Sequence, residues 1–257
     1  MSDLLLLNGA PASALDPATL RAASYGHFTS MQVRDGCVDG LDLHFARLDR
    51  STREVFGQPL PADRVRADLR AAVRHVDSGD LSIRVNVFAT TDLNLLVHVG
   101  PPVAPSTQLP RLLAVQHERA VPHLKHTGTF DLIYYGRQAQ QSGYDSAVFH
   151  TASGEISEAT IWNICFARGS QIVFPAARVL PGTRQQVLQR GLGTYDAIPV
   201  RLTDLPTYDA AYLTNSVDAA LPVASITLDG STVDYAPHDE SVEVIAKAYA
   251  TQPPQPV

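Results

Sequence analysis

The chain holds two lysines, Lys125 and Lys247, against eighteen arginines. Lys125 stands in His123-Leu124-Lys125-His126-Thr127, after an apolar run and before a helical pattern. Arginine serves as the surface cation almost everywhere else, so a lysine at this junction points to a need for an amine. A primary amine can lose its proton and attack a carbonyl, which a guanidinium in effect cannot. The alternative is a solvated surface lysine. That reading suffices for Lys247, in a stretch near the C-terminus where a cation suits the end of a helix. Four further groups stand where chemistry could use them. Glu158 lies in the apolar, β-prone stretch Gly154-Glu-Ile-Ser-Glu-Ala-Thr-Ile-Trp-Asn163, and a carboxylate there needs a partner because burying an unpaired charge is costly. Thr183 opens a helix after Pro181-Gly182, where free N–H groups and the dipole favour an anion. Ser216 follows Thr214-Asn215 at a strand end and offers hydroxyl and amide donors. Arg47 adds a cation on a helix of the first half, in His44-Phe-Ala-Arg-Leu48.

A reactive amine, a carboxylate partner and a phosphate cradle are together what pyridoxal 5′-phosphate requires. Composition and spacing alone leave this one possibility among several. Each residue also has a structural reading: a surface ion pair for Arg47, an N-cap for Thr183. Asn163 could tie loops together or touch a cofactor, and Trp162 could be core or pocket wall. His123 and His126 flank the lysine, but their spacing does not suit a metal site, and none is expected.

The elements that must position these groups read as two α+β units. In the first, residues 4–7 and 28–34 are strands, the second closed by the turn pair Asp35-Gly36. Residues 41–56 and 63–76 carry apolar positions at helical spacing, and residues 81–89 and 93–100 form a hairpin. The proline cluster from Pro101 to Pro105 marks a boundary. Residues 1–105 are thus expected as an N-terminal α+β domain, 106–120 as linker and first strand, and 121–257 as a C-terminal α/β domain carrying Lys125. In the second half, 112–120, 146–150, 156–167 and 171–174 read as strands, and 129–141 and 183–192 as helices. Another strand ends at Ser216. The proline-bearing stretch 252–256 reads as a loose tail.

With 257 residues, 45% hydrophobic and 18% charged, the chain can bury an ordinary core. A net charge of −6 argues against a nucleic-acid binder. Cys37 and Cys165 are too few for a disulfide framework. No signal-peptide pattern and no membrane-length apolar run is present, so a cytoplasmic protein with no membrane partner is expected.

Seven segments, in order over nearly the whole chain, carry a resemblance to a known family. They are Leu7-Asn8-Gly9; Gly26-His-Phe-Thr-Ser-Met-Gln-Val-Arg-Asp-Gly36; His44-Phe-Ala-Arg-Leu-Asp-Arg-Ser51; Lys125; Gly143-Tyr-Asp145 with Gly154-Glu-Ile-Ser-Glu158 and Asn163; Leu180-Pro-Gly-Thr-Arg184; and Thr214-Asn-Ser216 with Pro222-Val223. The chain thereby resembles the fold-type IV pyridoxal-phosphate enzymes, the class IV aminotransferases. These include branched-chain and D-amino-acid aminotransferases and aminodeoxychorismate lyase. The resemblance implies a two-domain α+β fold with the cofactor between the domains, and a homodimer. It implies that Lys125 forms the Schiff base and moves the Cα proton, that Glu158 pairs with the pyridine nitrogen, and that Arg47, Thr183 and Ser216 hold the phosphate. Asn163 would be a further cofactor-side residue. His27, Phe28 and Thr29 would lie on the strand bordering the substrate, an amino acid or keto acid. Many aminotransferases have Phe-Glu-Thr where this chain has Phe28-Thr29-Ser30, whereas the lyases have Phe-Thr-Thr and resemble Leu124-Lys125-His126. The segment 180–184 is one residue shorter than the family pattern. Phe130, five positions after the lysine, replaces a tyrosine found in some branched-chain enzymes. The expectation is an aminotransferase, with a pyruvate-releasing 4-amino-4-deoxychorismate lyase and a non-catalytic relative as the alternatives.

Overall fold

A computed structural model describes residues 4–12, 14–74 and 80–257. By its internal contacts the chain divides into two units. The first comprises Met1–Ala104, Leu124–Gly128 and Pro253–Val257, and the second Pro105–His123 and Thr129–Gln252.

The first unit is a five-stranded sheet backed by helices. It runs through β1 (Leu4–Leu7), β2 (Ala10–Pro11), α1 (Pro17–Ala23), β3 (Gly26–Val33), β4 (Cys37–Val38), α2 (Leu41–Phe56), α3 (Ala62–Arg74), β5 (Leu81–Ala89) and β6 (Leu93–Gly100). The strand order is β2-β1-β6-β5-β3, antiparallel throughout. The 2.0 period of β3 and β5 decides its two faces. Met31, Val33, Ile83, Val85 and Val87 point to one side and pack with Leu41, Phe45 and Leu48 of α2 and Val65 and Leu69 of α3. Asp35 and Gly36 both adopt positive φ, which turns the chain tightly from β3 into β4. The helix expected over 63–76 is present from Ala62; residues 75 and 76 lie outside the described residues.

The second unit is built on a ten-stranded sheet. Its elements are β7 (Arg111–Gln116), α4 (Phe130–Gln141), β8 (Ser146–His150), β9 (Ile156–Ala159), β10 (Asn163–Arg168), β11 (Gln171–Pro175), α5 (Thr183–Leu192), β12 (Asp196–Ile198), β13 (Ala210–Thr214), β14 (Leu221–Pro222), β15 (Ser225–Leu228), β16 (Ser231–Asp234) and α6 (Asp239–Ala250). The path is β12-β11-β10-β9-β8-β7-β15-β16, with β13 pairing β10 and β14. β7 runs parallel to β8 and β15, and the remaining pairs are antiparallel except β11 with β12. The strand expected over 156–167 is two strands, because Thr160-Ile161-Trp162 turns β9 back onto β10. The strand expected to reach residue 120 ends at Gln116.

The tail does not hang loose. β17 (Gln255–Pro256) pairs antiparallel with β4, the Val257 N–H donates to Gly36 O at 3.1 Å, and the Gln255 side chain accepts from Asp42 N at 2.8 Å. Proline is tolerated on such a two-stranded edge because only alternate N–H groups are needed.

α5 and α6 approach so closely at Gly191 that a Cβ there would run into the backbone of Ala248. Backbone on a packed helix cannot yield as a side-chain tip can. Gly191→Ala is therefore expected to destabilise the fold by about 2 kcal/mol or more, read as a lowered urea midpoint at unchanged slope.

Candidate active site

In the first unit, the Lys125 segment lies along the outer edge of β3. His27 bridges His126, Phe28 N donates to Lys125 O at 2.8 Å, and Thr127 N donates to Gly26 O at 2.9 Å. This pairing puts Lys125 opposite Phe28, and the Lys125 Nζ lies 4.9 Å from the Phe28 ring centroid. The Arg84 guanidinium sits over the same ring at 3.5 Å, its proton affinity lowered by burial. Phe28 is thus an apolar floor under both the Lys125 amine and the Arg84 guanidinium, and Lys125 is half-buried.

His27 and Thr29 point the other way, into α2. The Arg47 Nη2 donates to Thr29 Oγ1. The Thr29 hydroxyl is also hydrogen-bonded to His44 Nδ1 at 2.6 Å, so Thr29 links Arg47 to His44. His27 is held likewise: Thr52 Oγ1 donates to Leu48 O at 2.8 Å and accepts from His27 Nε2 at 3.1 Å.

Arg47 is the unusual member of this group. It is 4% exposed, its Nε has no hydrogen-bond partner, and among the described residues it pairs with no carboxylate. Burial, then repulsion from Arg50, lowers its pKa to about 10, still far above neutrality. A buried guanidinium with no counter-ion suits an anion supplied from outside. Burial, and secondarily Arg47, pushes His27 down from 6.5 to about 4, so it stays neutral. The unfolded chain binds that proton near pH 6.5 and the folded chain does not, so stability from this group is present above pH 6.5 and is lost as pH falls towards 4. Urea unfolding between pH 5 and 6.5 should therefore show a steeper pH dependence for the wild type than for His27→Gln.

In the second unit, the strand ladder sets three polar residues side by side: Glu158 of β9 opposite Asn163 of β10, and Asn163 opposite Thr214 of β13. Glu158 is 6% exposed, and its Oε1 accepts from Arg119 Nη1 at 2.9 Å. Its Oε2 lies 3.4 Å from Leu180 N. Arg119, missed from sequence, is the cation that allows this carboxylate to be buried and charged. Nothing in the local pattern marks it, since it lies beyond the end of β7 and meets Glu158 only through folding. Asn163 Nδ2 donates to Leu180 O at 2.8 Å, and its Oδ1 fills the space a Gly182 Cβ would need. Asn163 thus fixes the approach to α5.

At α5 the N-cap is Gly182, with no side-chain cap, and Thr183 is the first helical residue. No acidic residue occupies the first turn. The opening N–H groups and the buried Thr183 suit an anion. The Tyr249 hydroxyl, also missed from sequence, draws this helix start to the loop after β13. It lies 2.8 Å from Ala219 O, 3.3 Å from Arg184 O and 3.4 Å from Thr214 Oγ1. Ser216 lies in that loop. Trp162 is half-buried at the β9–β10 turn and donates its indole N–H to Asp218 at 2.8 Å. Among the described residues no His/Cys/Asp/Glu group could hold a metal ion, and no helix is long and apolar enough to cross a membrane.

Residues 26–226 match the family model described as amino-transferase class IV. The chain matches no curated protein sequence. Among solved structures it is similar to a hypothetical aminotransferase from Mycobacterium tuberculosis in a PLP-bound form, with TM-score 0.80 and 18% identity over 98% of this chain and 100% of that one. The same protein bound to alpha-ketoglutarate and PMP gives TM-score 0.82 and 18% identity over 97% and 100%. A branched-chain amino acid aminotransferase from Escherichia coli gives TM-score 0.81 and 17% identity over 98% and 94%. Likenesses at these identities concern the fold, which is that of fold-type IV.

Proposed function

The chain belongs to the amino-transferase class IV family, and from that premise we propose that it is a pyridoxal 5′-phosphate-dependent aminotransferase moving an amino group between an amino acid and a 2-keto acid. The observation that carries this reading is Arg47, a buried cation with an orphaned Nε and no carboxylate among the described residues. It fits a phosphate. Thr183 at the uncapped start of α5 and Ser216 fit the same group, and the buried Glu158 fits a pyridine nitrogen that must stay protonated. The cofactor, when bound, supplies the electron sink that lets a Cα–H bond break.

The protein's own residues do the rest. Lys125 holds the cofactor covalently at rest and carries the proton to and from the substrate carbon. Glu158, kept charged by Arg119, holds the ring-nitrogen proton. Arg47, Thr183 and Ser216 anchor the phosphate, and Asn163 keeps the approach to α5 in place. On the substrate-bordering strand, Phe28 forms the wall under Lys125, while His27 and Thr29 act behind it through Arg47 and α2.

Thr29 bears on the lyase alternative. Its hydroxyl is fully buried and engaged with Arg47 and His44. Support of Arg47 is therefore enough to account for threonine here, without pyruvate-releasing chemistry. A second copy of the chain is the proposed partner. Phe130, Ile133 and Tyr134 expose an apolar stripe on one face of α4, with Phe130 79% exposed and stacked on Tyr134. A cytoplasmic location completes the reading.

The test is spectral. The cofactor-loaded protein is mixed with L- and D-amino acids and, separately, with 4-amino-4-deoxychorismate. An amino acid alone should convert the cofactor to its pyridoxamine form, and a 2-keto acid should restore it. Pyruvate release from aminodeoxychorismate, with no spectral change on adding any amino acid, would overturn the proposal.

A further inference from the structure

The loop from Asn215 to Asp218 is closed by three hydrogen bonds within itself. The Asn215 side-chain oxygen accepts from Val217 N and Asp218 N, both at 2.8 Å, and Asn215 N donates to Asp218 O at 2.8 Å. Ser216 takes no part in them: half-exposed, it makes no hydrogen bond to any described residue, which leaves its hydroxyl available to a ligand.

Something must hold this closed turn in place, and among the described residues the Asp218 carboxylate is the side chain that ties it to distant chain. Asp218 is 6% exposed. Its Oδ1 accepts from Ser106 N at 2.9 Å and its Oδ2 from the Trp162 indole at 2.8 Å. Both donors are neutral N–H groups, and each comes from a different segment. Ser106 lies on the stretch leading into β7. Trp162 lies in the turn between Glu158 and Asn163. The two donors reach different oxygens of the carboxylate, so both of its oxygens must accept. Asparagine at 218 would offer one oxygen and turn an NH2 towards the other donor.

We propose that Asp218 is a positioning residue. Through Trp162 it locks the loop bearing Ser216 to the Glu158–Asn163 turn, so that the phosphate donor and the ring-nitrogen carboxylate keep one fixed spacing. The proposal rests on the reading of Ser216 as a phosphate contact. It also makes Trp162, the single tryptophan of the chain, a reporter of the loop.

The experiment uses Asp218→Asn, Trp162→Phe and Ser216→Ala in the full chain. Affinities for pyridoxal 5′-phosphate and for pyridoxal, which lacks the phosphate, are measured by absorbance. Amide hydrogen exchange is followed over residues 215–218. Asp218→Asn should weaken pyridoxal phosphate by about tenfold, leave pyridoxal unchanged and speed exchange in the loop. Trp162 emission in that variant should shift to the red. Trp162→Phe keeps the packing but removes the donor, and should lower the affinity ratio in the same direction. Equal loss for both ligands in Asp218→Asn, or wild-type exchange rates in the loop, overturns the positioning role. If Ser216→Ala alone leaves the ratio unchanged, the phosphate reading of Ser216 fails, and the exchange rates in Asp218→Asn still decide whether Asp218 is the anchor.

Discussion

Lys125→Ala should lose covalent attachment of the cofactor and about 10²–10⁴-fold or more of the rate of amino-acid-dependent conversion. The only other lysine, Lys247, lies on α6, exposed and paired with Glu243 at 2.6 Å, so no second amine is placed to take over. Lys125 instead lies on the edge of β3 with its Nζ over the Phe28 ring, and the backbone bonds at Phe28 N and Thr127 N do not depend on its side chain. The variant should therefore fold. Borohydride reduction of the loaded wild type, followed by peptide mapping, should mark the peptide containing Lys125. A mark on Lys247, or no mark on any peptide of a loaded preparation, would refute the assignment.

Glu158→Gln should cut turnover by roughly 10- to 100-fold while changing cofactor affinity much less, because a charge-assisted hydrogen bond contributes about 1.5–3 kcal/mol. The amide cannot hold a ring-nitrogen proton. It also removes the anionic oxygen to which Arg119 donates inside the protein. Deleting one partner of a buried ion pair is strongly destabilising, so the variant should melt lower as well. Arg119→Met added to Glu158→Gln should recover part of that stability and none of the turnover. Recovery of turnover would show that the substitution acted through folding alone.

The elements that sequence periodicity marked are those whose cores are simple. α2 carries Leu41, Phe45 and Leu48 on one face and lies where the apolar spacing put it, and the β5–β6 hairpin follows from two alternating runs around a short turn. The misreadings have a common cause. The stretch 156–167 is apolar on both sides of its turn, so periodicity saw one strand; the reversal is set by Thr160 to Trp162 packing and bonding to distant residues. The tail 252–256 carries three prolines, which read as irregular, yet its pairing with β4 needs only the N–H groups that remain. Of the candidate groups, Lys125, Glu158 and Arg47 could be singled out in the sequence because their types and order are distinctive. Their supports could not: Arg119, Asp218, His44 and Tyr249 act through partners far away in sequence, and a linear reading carries no signal for that.

The division of the chain into units has a consequence for its synthesis. The first unit is not continuous: residues 124–128 and 253–257 belong to it, and nearly all of the second unit is made between those two pieces. When Ala104 leaves the ribosome, the outer edge of β3 still lacks the Lys125 segment, and β4 still lacks β17. An uncovered sheet edge is a template for unwanted pairing, and it stays open longest on β4, whose partner β17 is made after the second unit. Residues 253–257 close the first unit only after the second has been translated. The nascent chain thus completes its two units in the reverse of the order in which it begins them, and a fragment ending near residue 104 should aggregate where the whole chain does not.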